Sequence, residues 1–239
     1  MRVAPARARL AVVQFPGTNC ERETIRAVRD IVDCPVDLVW HADALEPDAY
    51  AGVVLPGGFA HGDHLRAGAI ARFSPVMRGV AALAARGKLV LGICNGFQVL
   101  LEAGLLPGAM LRNASLQFVS DWEACRVERT DTPFTCACEP GQVLRLPIAH
   151  GEGNYTAASP SVLEQLESSG AVVLRYCGEN PNGSANNIAG LLAVQGNVFG
   201  LMPHPERAID DLLGSADGRL IFESMRQALT ASQESRVAA

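Results

Sequence analysis

The sequence predicts an α/β protein: a doubly wound, mostly parallel sheet with flanking helices and an antiparallel extension. Three observations carry that expectation. Short apolar runs bounded by Gly, Pro or Asn recur between residues 10 and 93, the pattern of strands buried on both faces. Helical stretches alternate with them at short spacing, as parallel strands require. Beyond Gly108 the alternation gives way to longer extended segments with turn-rich connections, which suit antiparallel strands added to one side of the sheet.

Each element has a local reason. Residues 10–15 (LAVVQF) read as the first buried strand. Pro16-Gly17-Thr18-Asn19 is a turn, and Asn19 or Thr18 can cap a helix over residues 21–31. Residues 36–39 and 50–55 are the second and third strands, the latter ending in Pro56-Gly57-Gly58-Phe59. Residues 60–68 form a polar Gly/His/Asp loop, and residues 74–86 carry a helical pattern. Residues 89–93 are a fourth strand, followed by a helix that stops at Gly104. Residues 116–128 and 142–148 are extended, around a Cys-bearing turn region at 131–141. Ser161 and Glu164 have capping-box spacing, so a short helix starts near Pro160. Residues 172–177 are a strand and residues 178–187 a Gly/Asn/Pro loop. Residues 188–194 and 197–202 form a hairpin-like pair around Gln195-Gly196. A last helix spans 217–229. The expected layout is a frayed tail at 1–9, a single domain at 10–229, and a polar tail at 230–239.

Composition narrows the function classes. About half of the 239 residues are apolar, 19% are charged and the net charge is −5, ordinary for a soluble globular chain with a full core. No basic stripe interleaved with aromatics is present, which argues against a nucleic-acid partner. The apolar runs fall far short of a membrane span. The basic start of the chain precedes an apolar run too short for a signal peptide. Seven cysteines with no secretion signal point to reduced thiols in a cytoplasmic protein.

Chemistry concentrates in three clusters that directly follow strands: Gly57-Gly58, Cys94-Asn95-Gly96 and His204-Pro205-Glu206. In open parallel sheets, ligands bind beyond the carboxyl ends of the strands, where such residues converge. Cys94 stands between Gly92 and Gly96, the small residues that a sharp strand-to-helix elbow needs. A thiol at a helix N-terminus also sees the positive end of the helix dipole. A buried Cys after a strand is more often a small hydrophobe, so its partners decide. A Cys nucleophile needs a base, a group that orients the base, and N–H donors for the oxyanion. His204 can be the base. Glu206, two residues on in an extended segment, can fix its tautomer. The backbone amides of Asn95 and of Gly57 or Gly58 can receive the oxyanion. Taken alone His204 is more often a core or solvated histidine; the elbow and Glu206 shift that balance.

These residues carry a resemblance. The motif LGICNGFQ containing Cys94 and Gln98, with MPHPER containing His204 and Glu206, resembles the triad (class I) glutamine amidotransferases. The segments LPGGF (55–59), GDHLRAG (62–68), AHGEG (149–153) and NPNGS (180–184) resemble the branch that provides the glutaminase subunit of phosphoribosylformylglycinamidine synthase. The match runs in order from Leu10 to about Arg226.

The resemblance implies Cys94 as nucleophile on the side-chain amide of L-glutamine, with His204 and Glu206 completing the triad. Ammonia would leave first and water would then hydrolyse a glutamyl thioester. It also implies that Gln98, His150, Gly151 and Glu152 line the glutamine pocket. A polar cap for Gln98 and a plain Gly-rich turn at 150–153 are the structural alternatives. The implied partners are a large synthetase subunit, which uses ATP and Mg, and a small bridging subunit, with no cofactor in this chain. No phosphate-cradling P-loop motif occurs.

One departure concerns the loop containing Ala60, His61 and His64, where the family more often carries serine at position 60 and tyrosine at 61 and 64. No metal site is expected: His61, Asp63 and His64 lack further ligands at suitable spacing, and Cys136-x-Cys138 lacks partners. Two competing readings are another Cys-dependent hydrolase on the same fold and a non-catalytic assembly module. The first usually places the base His directly after the Cys, where this chain has Asn95.

Overall fold

The computed structural model describes residues 8–238, with the side chains of 235–238 left aside. Nine strands form one mixed sheet in the order β2-β1-β3-β4-β11-β10-β9-β6-β7. The parallel part comprises β1 (Leu10–Gln14), β2 (Val36–Trp40), β3 (Gly52–Leu55), β4 (Leu89–Ile93) and β11 (Val198–Leu201). The antiparallel extension comprises β10 (Ile188–Leu192), β9 (Val172–Tyr176), β6 (Val119–Val127) and β7 (Val143–His150). The expected α/β class and the switch of pattern after Gly108 both hold.

Burial follows sheet position. β3, β4 and β11 are interior strands whose residues are all buried, as their unbroken apolar sequences require. β2 is the edge strand and exposes Leu38 and Trp40. Parallel register aligns Val53 with Val90 and Val90 with Val198. The carboxyl ends of β1, β3, β4 and β11 therefore open on one rim of the sheet, and the three sequence clusters meet there.

The helices are α1 (Glu21–Ala27, prolonged by a π turn over Val28–Val32), α2 (Val76–Ala85), α3 (Asn95–Glu102), α4 (Pro160–Ser168) and α5 (Arg219–Ala238). Helix α3 packs against β3, β4 and β11. Among the described residues no helix is long and apolar enough to cross a membrane.

Several local expectations change. Thr18 does not cap α1; its Oγ1 accepts from Phe15 N at 2.9 Å and closes the turn, leaving Cys20 at the cap position. The cap of α4 is Ser159, which accepts from Val162 N, with Pro160 at the first helical position where its missing N–H costs nothing. A two-stranded ribbon escaped the sequence reading: β5 (Ala109–Leu111) pairs with β8 (Asn154–Thr156). Three-residue strands carry too little periodicity to stand out. Helix α5 runs past residue 229 to Ala238; no Gly or Pro interrupts it, and Thr230 Oγ1 donates back to Arg226 O. At the other end, Arg9 is tied to Asp37 at 2.8 Å; residues 1–7 of the expected tail lie outside the described residues.

Candidate active site

Cys94 joins β4 to α3 with φ 48° and ψ −105°, a conformation that costs a non-glycine residue about 1–3 kcal/mol. The flanking glycines explain how the chain tolerates the bend. A Cβ on Gly96 would stand 1.9 Å from Leu55 O, and one on Gly92 would stand 2.7 Å from Gly96 O. Cys94 N donates to Leu201 O at 2.8 Å, which pins the elbow to the strand that delivers His204. The thiol lies 3.7 Å from Ala149 O in β7.

His204 and Glu206 follow β11. The sequence suggests an extended segment with both side chains on one side. Instead Pro205–Arg207 makes a single 3-10 turn, and that turn swings Glu206 back to the ring. His204 Nδ1 and Glu206 Oε1 are 2.7 Å apart, and both residues are buried. A carboxylate can only accept here, so Nδ1 carries the proton. Among the described residues Nε2 has no hydrogen-bond partner. Backbone N of His204 donates to Pro147 O at 2.8 Å, so β7 braces both the histidine and the thiol. Burial opposes the charged ring, but the Glu206 carboxylate and the Cys94 sulfur outweigh it and hold His204 well above its ordinary pKa.

Gly57 lies behind the imidazole; a Cβ there would be 2.6 Å from Cε1 of His204. Gly58, at φ +146°, uses a conformation only glycine adopts readily. Among the described residues, the amides of Gly57, Gly58 and Asn95 donate to no protein group. All three are thus free at the rim.

Cys20 is a neighbour the sequence reading missed. Its Sγ lies 3.9 Å from His204 Nδ1, 3.1 Å from Asn19 Oδ1 and 3.0 Å from Arg207 Nη2, which donates to it. Burial pushes its thiol up against the opposing pull of His204. Its position just beyond β1, on the same rim as the other clusters, was the available signal. Cys20, His204 and Glu206 also place their donor atoms within 4.8 Å of one another, the arrangement a metal would need. The Arg207 guanidinium on Cys20 Sγ disfavours a cation there.

The residues expected around glutamine form a supporting lattice. Gln98 is buried; Nε2 donates to Glu152 O at 2.6 Å and Oε1 accepts from Asn95 Nδ2 at 2.9 Å. Glu152 Oε2 accepts from Ala67 N at 3.1 Å. Gly151 O accepts from Asn113 N at 2.9 Å. His150 is buried with Nδ1 on Asn113 Oδ1 at 3.2 Å and Nε2 facing Asn182 Nδ2 at 3.4 Å. Both ring nitrogens are therefore engaged within the protein. Burial, with the His204 charge, lowers the His150 pKa to about 4. Asp63 accepts from Asn95 Nδ2 at 3.1 Å, and burial together with Glu152 raises its carboxyl to about 6.

A strained Cys elbow on a doubly wound sheet, with a buried His–Glu pair after the adjacent strand, defines the glutamine amidotransferase class, and the family model of the CobB/CobQ-like glutamine amidotransferase domain matches residues 7–226. The chain belongs to the PurQ family, the family of phosphoribosylformylglycinamidine synthase subunit PurQ. It is 54% identical over 230 residues to that subunit from Symbiobacterium thermophilum, covering 93% of this chain and 97% of the relative. It is 57% identical over 217 residues to the subunit from Rubrobacter xylanophilus, with 91% and 97% covered. The solved structure of PurLQS from Thermotoga maritima superposes with a TM-score of 0.85 at 45% identity, covering 93% of this chain and 99% of that one. A GMP synthase-type protein from Thermoplasma acidophilum shares the fold, with a TM-score of 0.65 at 14% identity over 98% of this chain and 99% of that one.

Proposed function

We propose that this chain is the glutaminase subunit of phosphoribosylformylglycinamidine synthase, hydrolysing L-glutamine to glutamate and ammonia. The observation that carries the chemistry is the buried His204–Glu206 pair, 2.7 Å apart, beside the Cys94 elbow. Cys94 gives its thiol proton to Nε2 of His204, and the resulting thiolate attacks the side-chain carbonyl carbon of glutamine. The developing oxyanion takes hydrogen bonds from the unused amides of Asn95 and of Gly58 or Gly57. His204, now an imidazolium stabilised by Glu206, gives that proton to the departing nitrogen. The C–N bond breaks, ammonia leaves and a glutamyl thioester remains. His204 then takes a proton from water, which attacks the thioester and frees glutamate and the thiol.

The ammonia goes to a synthetase subunit that uses ATP and Mg, with a small bridging subunit completing the complex, and formylglycinamide ribonucleotide becomes formylglycinamidine ribonucleotide. The high identity to the PurQ relatives supports this assignment. So does the likeness to the chain solved within PurLQS. Seven cysteines, all free thiols, suit a cytoplasmic setting. Cys94 and His204 are only 4% and 2% exposed, and docking of the synthetase is the natural trigger for widening the approach to them. The test is glutamate release by the purified chain, wild type against Cys94→Ala, with and without the synthetase mixture, ATP and the ribonucleotide. Cys94-dependent release that rises with the mixture is expected. Equal turnover in both conditions would overturn the coupling, and release by Cys94→Ala would overturn the mechanism.

A further inference from the structure

The proposed oxyanion pocket is built from two separate segments. Gly57 and Gly58 come from the loop after β3; Asn95 comes from the elbow after β4. Their amides must point at one oxygen atom, and a displacement of about 1 Å is enough to cost a large part of the rate. Main-chain pairing holds each segment to its own neighbours, such as Asn19 N to Gly57 O at 3.4 Å and Cys94 N to Leu201 O at 2.8 Å.

One buried side chain bridges the two segments. Asn95 Oδ1 accepts from Ala60 N at 3.0 Å, two residues after Gly58. Asn95 Nδ2 donates to Asp63 Oδ1 at 3.1 Å and to Gln98 Oε1 at 2.9 Å. Gln98 in turn holds Glu152 O, so the same amide reaches the segment after β7. All three bonds fix the orientation of the amide: its oxygen faces a donor and its nitrogen faces two acceptors. Asn95 is 1% exposed, so losing these partners leaves buried polar groups unmatched.

The geometry points to Asn95 and Asp63 as positioning residues for the glutaminase reaction: the Asn95 side chain, anchored by Asp63, clasps the loop carrying Gly57 and Gly58 to the nucleophile elbow and holds the two halves of the oxyanion pocket in register. This deepens the glutaminase reading and rests on it. The loop itself is under strain that a clasp must hold. His61, Asp63 and Leu65 all have positive φ, at 54°, 52° and 73°. The charged group facing Asp63 is Glu152, from the segment after β7, and the neighbouring Arg66 is already committed to Glu102 at 2.5 Å. Asp63 enters the clasp through one acceptor oxygen, Oδ1, facing Asn95 Nδ2, so an uncharged acceptor of the same shape can make the same bond.

The experiment measures kcat and KM for glutamine in the full complex with the synthetase mixture, ATP and ribonucleotide. It compares wild type, Asn95→Ala, Asp63→Ala, Asp63→Asn and Cys94→Ala, each checked by thermal melting. A clasp that aligns oxyanion donors acts on the transition state. Asn95→Ala and Asp63→Ala should therefore lower kcat at least tenfold while KM stays within about threefold. Asp63→Asn keeps the acceptor oxygen and should recover most of the loss seen in Asp63→Ala. Wild-type kcat in Asn95→Ala, a change confined to KM, or equal loss in Asp63→Asn and Asp63→Ala would overturn the clasp. Activity retained in Cys94→Ala would instead overturn the glutaminase reading beneath it. Asp63→Asn keeps the test decisive if Asn95→Ala fails to fold.

Discussion

The Nδ1 atom of His204 lies 2.7 Å from Oε1 of Glu206, with both side chains closed off from water. That contact makes Glu206 the residue that decides the charge of the ring. Glu206→Gln keeps the shape and removes the carboxylate. It should lower kcat for glutamine about a hundredfold or more, with a smaller effect on KM. Stability should shift as well. Glu206 and Cys94 raise the His204 pKa in the folded state. The resulting stabilisation is fully present below the ordinary value of 6.5 and fades as pH rises through the raised folded value. The melting difference between wild type and Glu206→Gln should therefore be largest in mild acid and narrow in strong alkali. A difference that grows with pH would contradict this arrangement.

His150 predicts the opposite trend. Asn182 Oδ1 accepts from Ser184 N, so Asn182 must present its NH2 to His150 Nε2. Asn113 Nδ2 donates to two carbonyls, so its Oδ1 faces Nδ1 of the ring. The cage fits only the neutral ring with its proton on Nδ1, and burial lowers the pKa to about 4. The unfolded chain binds this proton between pH 6.5 and about 4 while the folded chain does not. Stability from this residue is thus present above 6.5 and lost as pH falls, by about 3 kcal/mol in all. Denaturant midpoints from pH 7 to pH 4 should show that slope in wild type and a flatter one in His150→Gln. Identical slopes would remove His150 as the cause.

Gly96 should tolerate nothing larger. A Cβ there meets Leu55 O at 1.9 Å and Leu55 C at 2.6 Å, both backbone atoms that cannot rotate aside. Gly96→Ala must push β3 and α3 apart. It should cost about 3 kcal/mol or more and also displace the Pro56-Gly57-Gly58 segment that follows Leu55. A thermal melt and a glutaminase assay on the soluble fraction check both effects; a variant as stable and active as wild type would show that the contact relaxes freely.

Much of this arrangement was legible because it is written locally. Buried parallel strands show as apolar runs, and Gly92-x-Cys94-x-Gly96 signals an elbow through steric need alone. The rim on which Cys94, Gly57 and His204 meet follows from strand direction. The rest depends on long-range pairing, which leaves no local trace. The place of Cys20 just beyond β1 signals the rim, but only long-range pairing brings it against a ring 184 positions away. His150 sits in a Gly-rich stretch that reads equally as turn or pocket, and only Asn113 and Asn182, from two other segments, show that its nitrogens are spoken for. Glu206 reaches His204 by a 3-10 turn rather than along a pleat, because Pro205 starts the turn and Arg207 N closes it on His204 O at 3.2 Å.

The elbow also stores strain that can be measured without any substrate. Cys94 holds φ 48° and ψ −105°, and alanine at that position would be held in the same way, because Gly92, Gly96 and the bond from residue 94 N to Leu201 O impose the bend. Glycine adopts positive φ without a Cβ penalty. Two variants that both lack the thiol therefore separate side chain from backbone. Cys94→Ala removes the thiol and keeps the strain, whereas Cys94→Gly removes both. Glycine also gains entropy in the unfolded chain, which works against it by up to about 1 kcal/mol. Relief of about 1–3 kcal/mol should outweigh that, so Cys94→Gly should melt higher than Cys94→Ala although its side chain is smaller. An alanine variant that melts higher would mean that the elbow is relaxed, and that the position of residue 94 is maintained by packing against Ala149 and Leu201 rather than by a strained backbone.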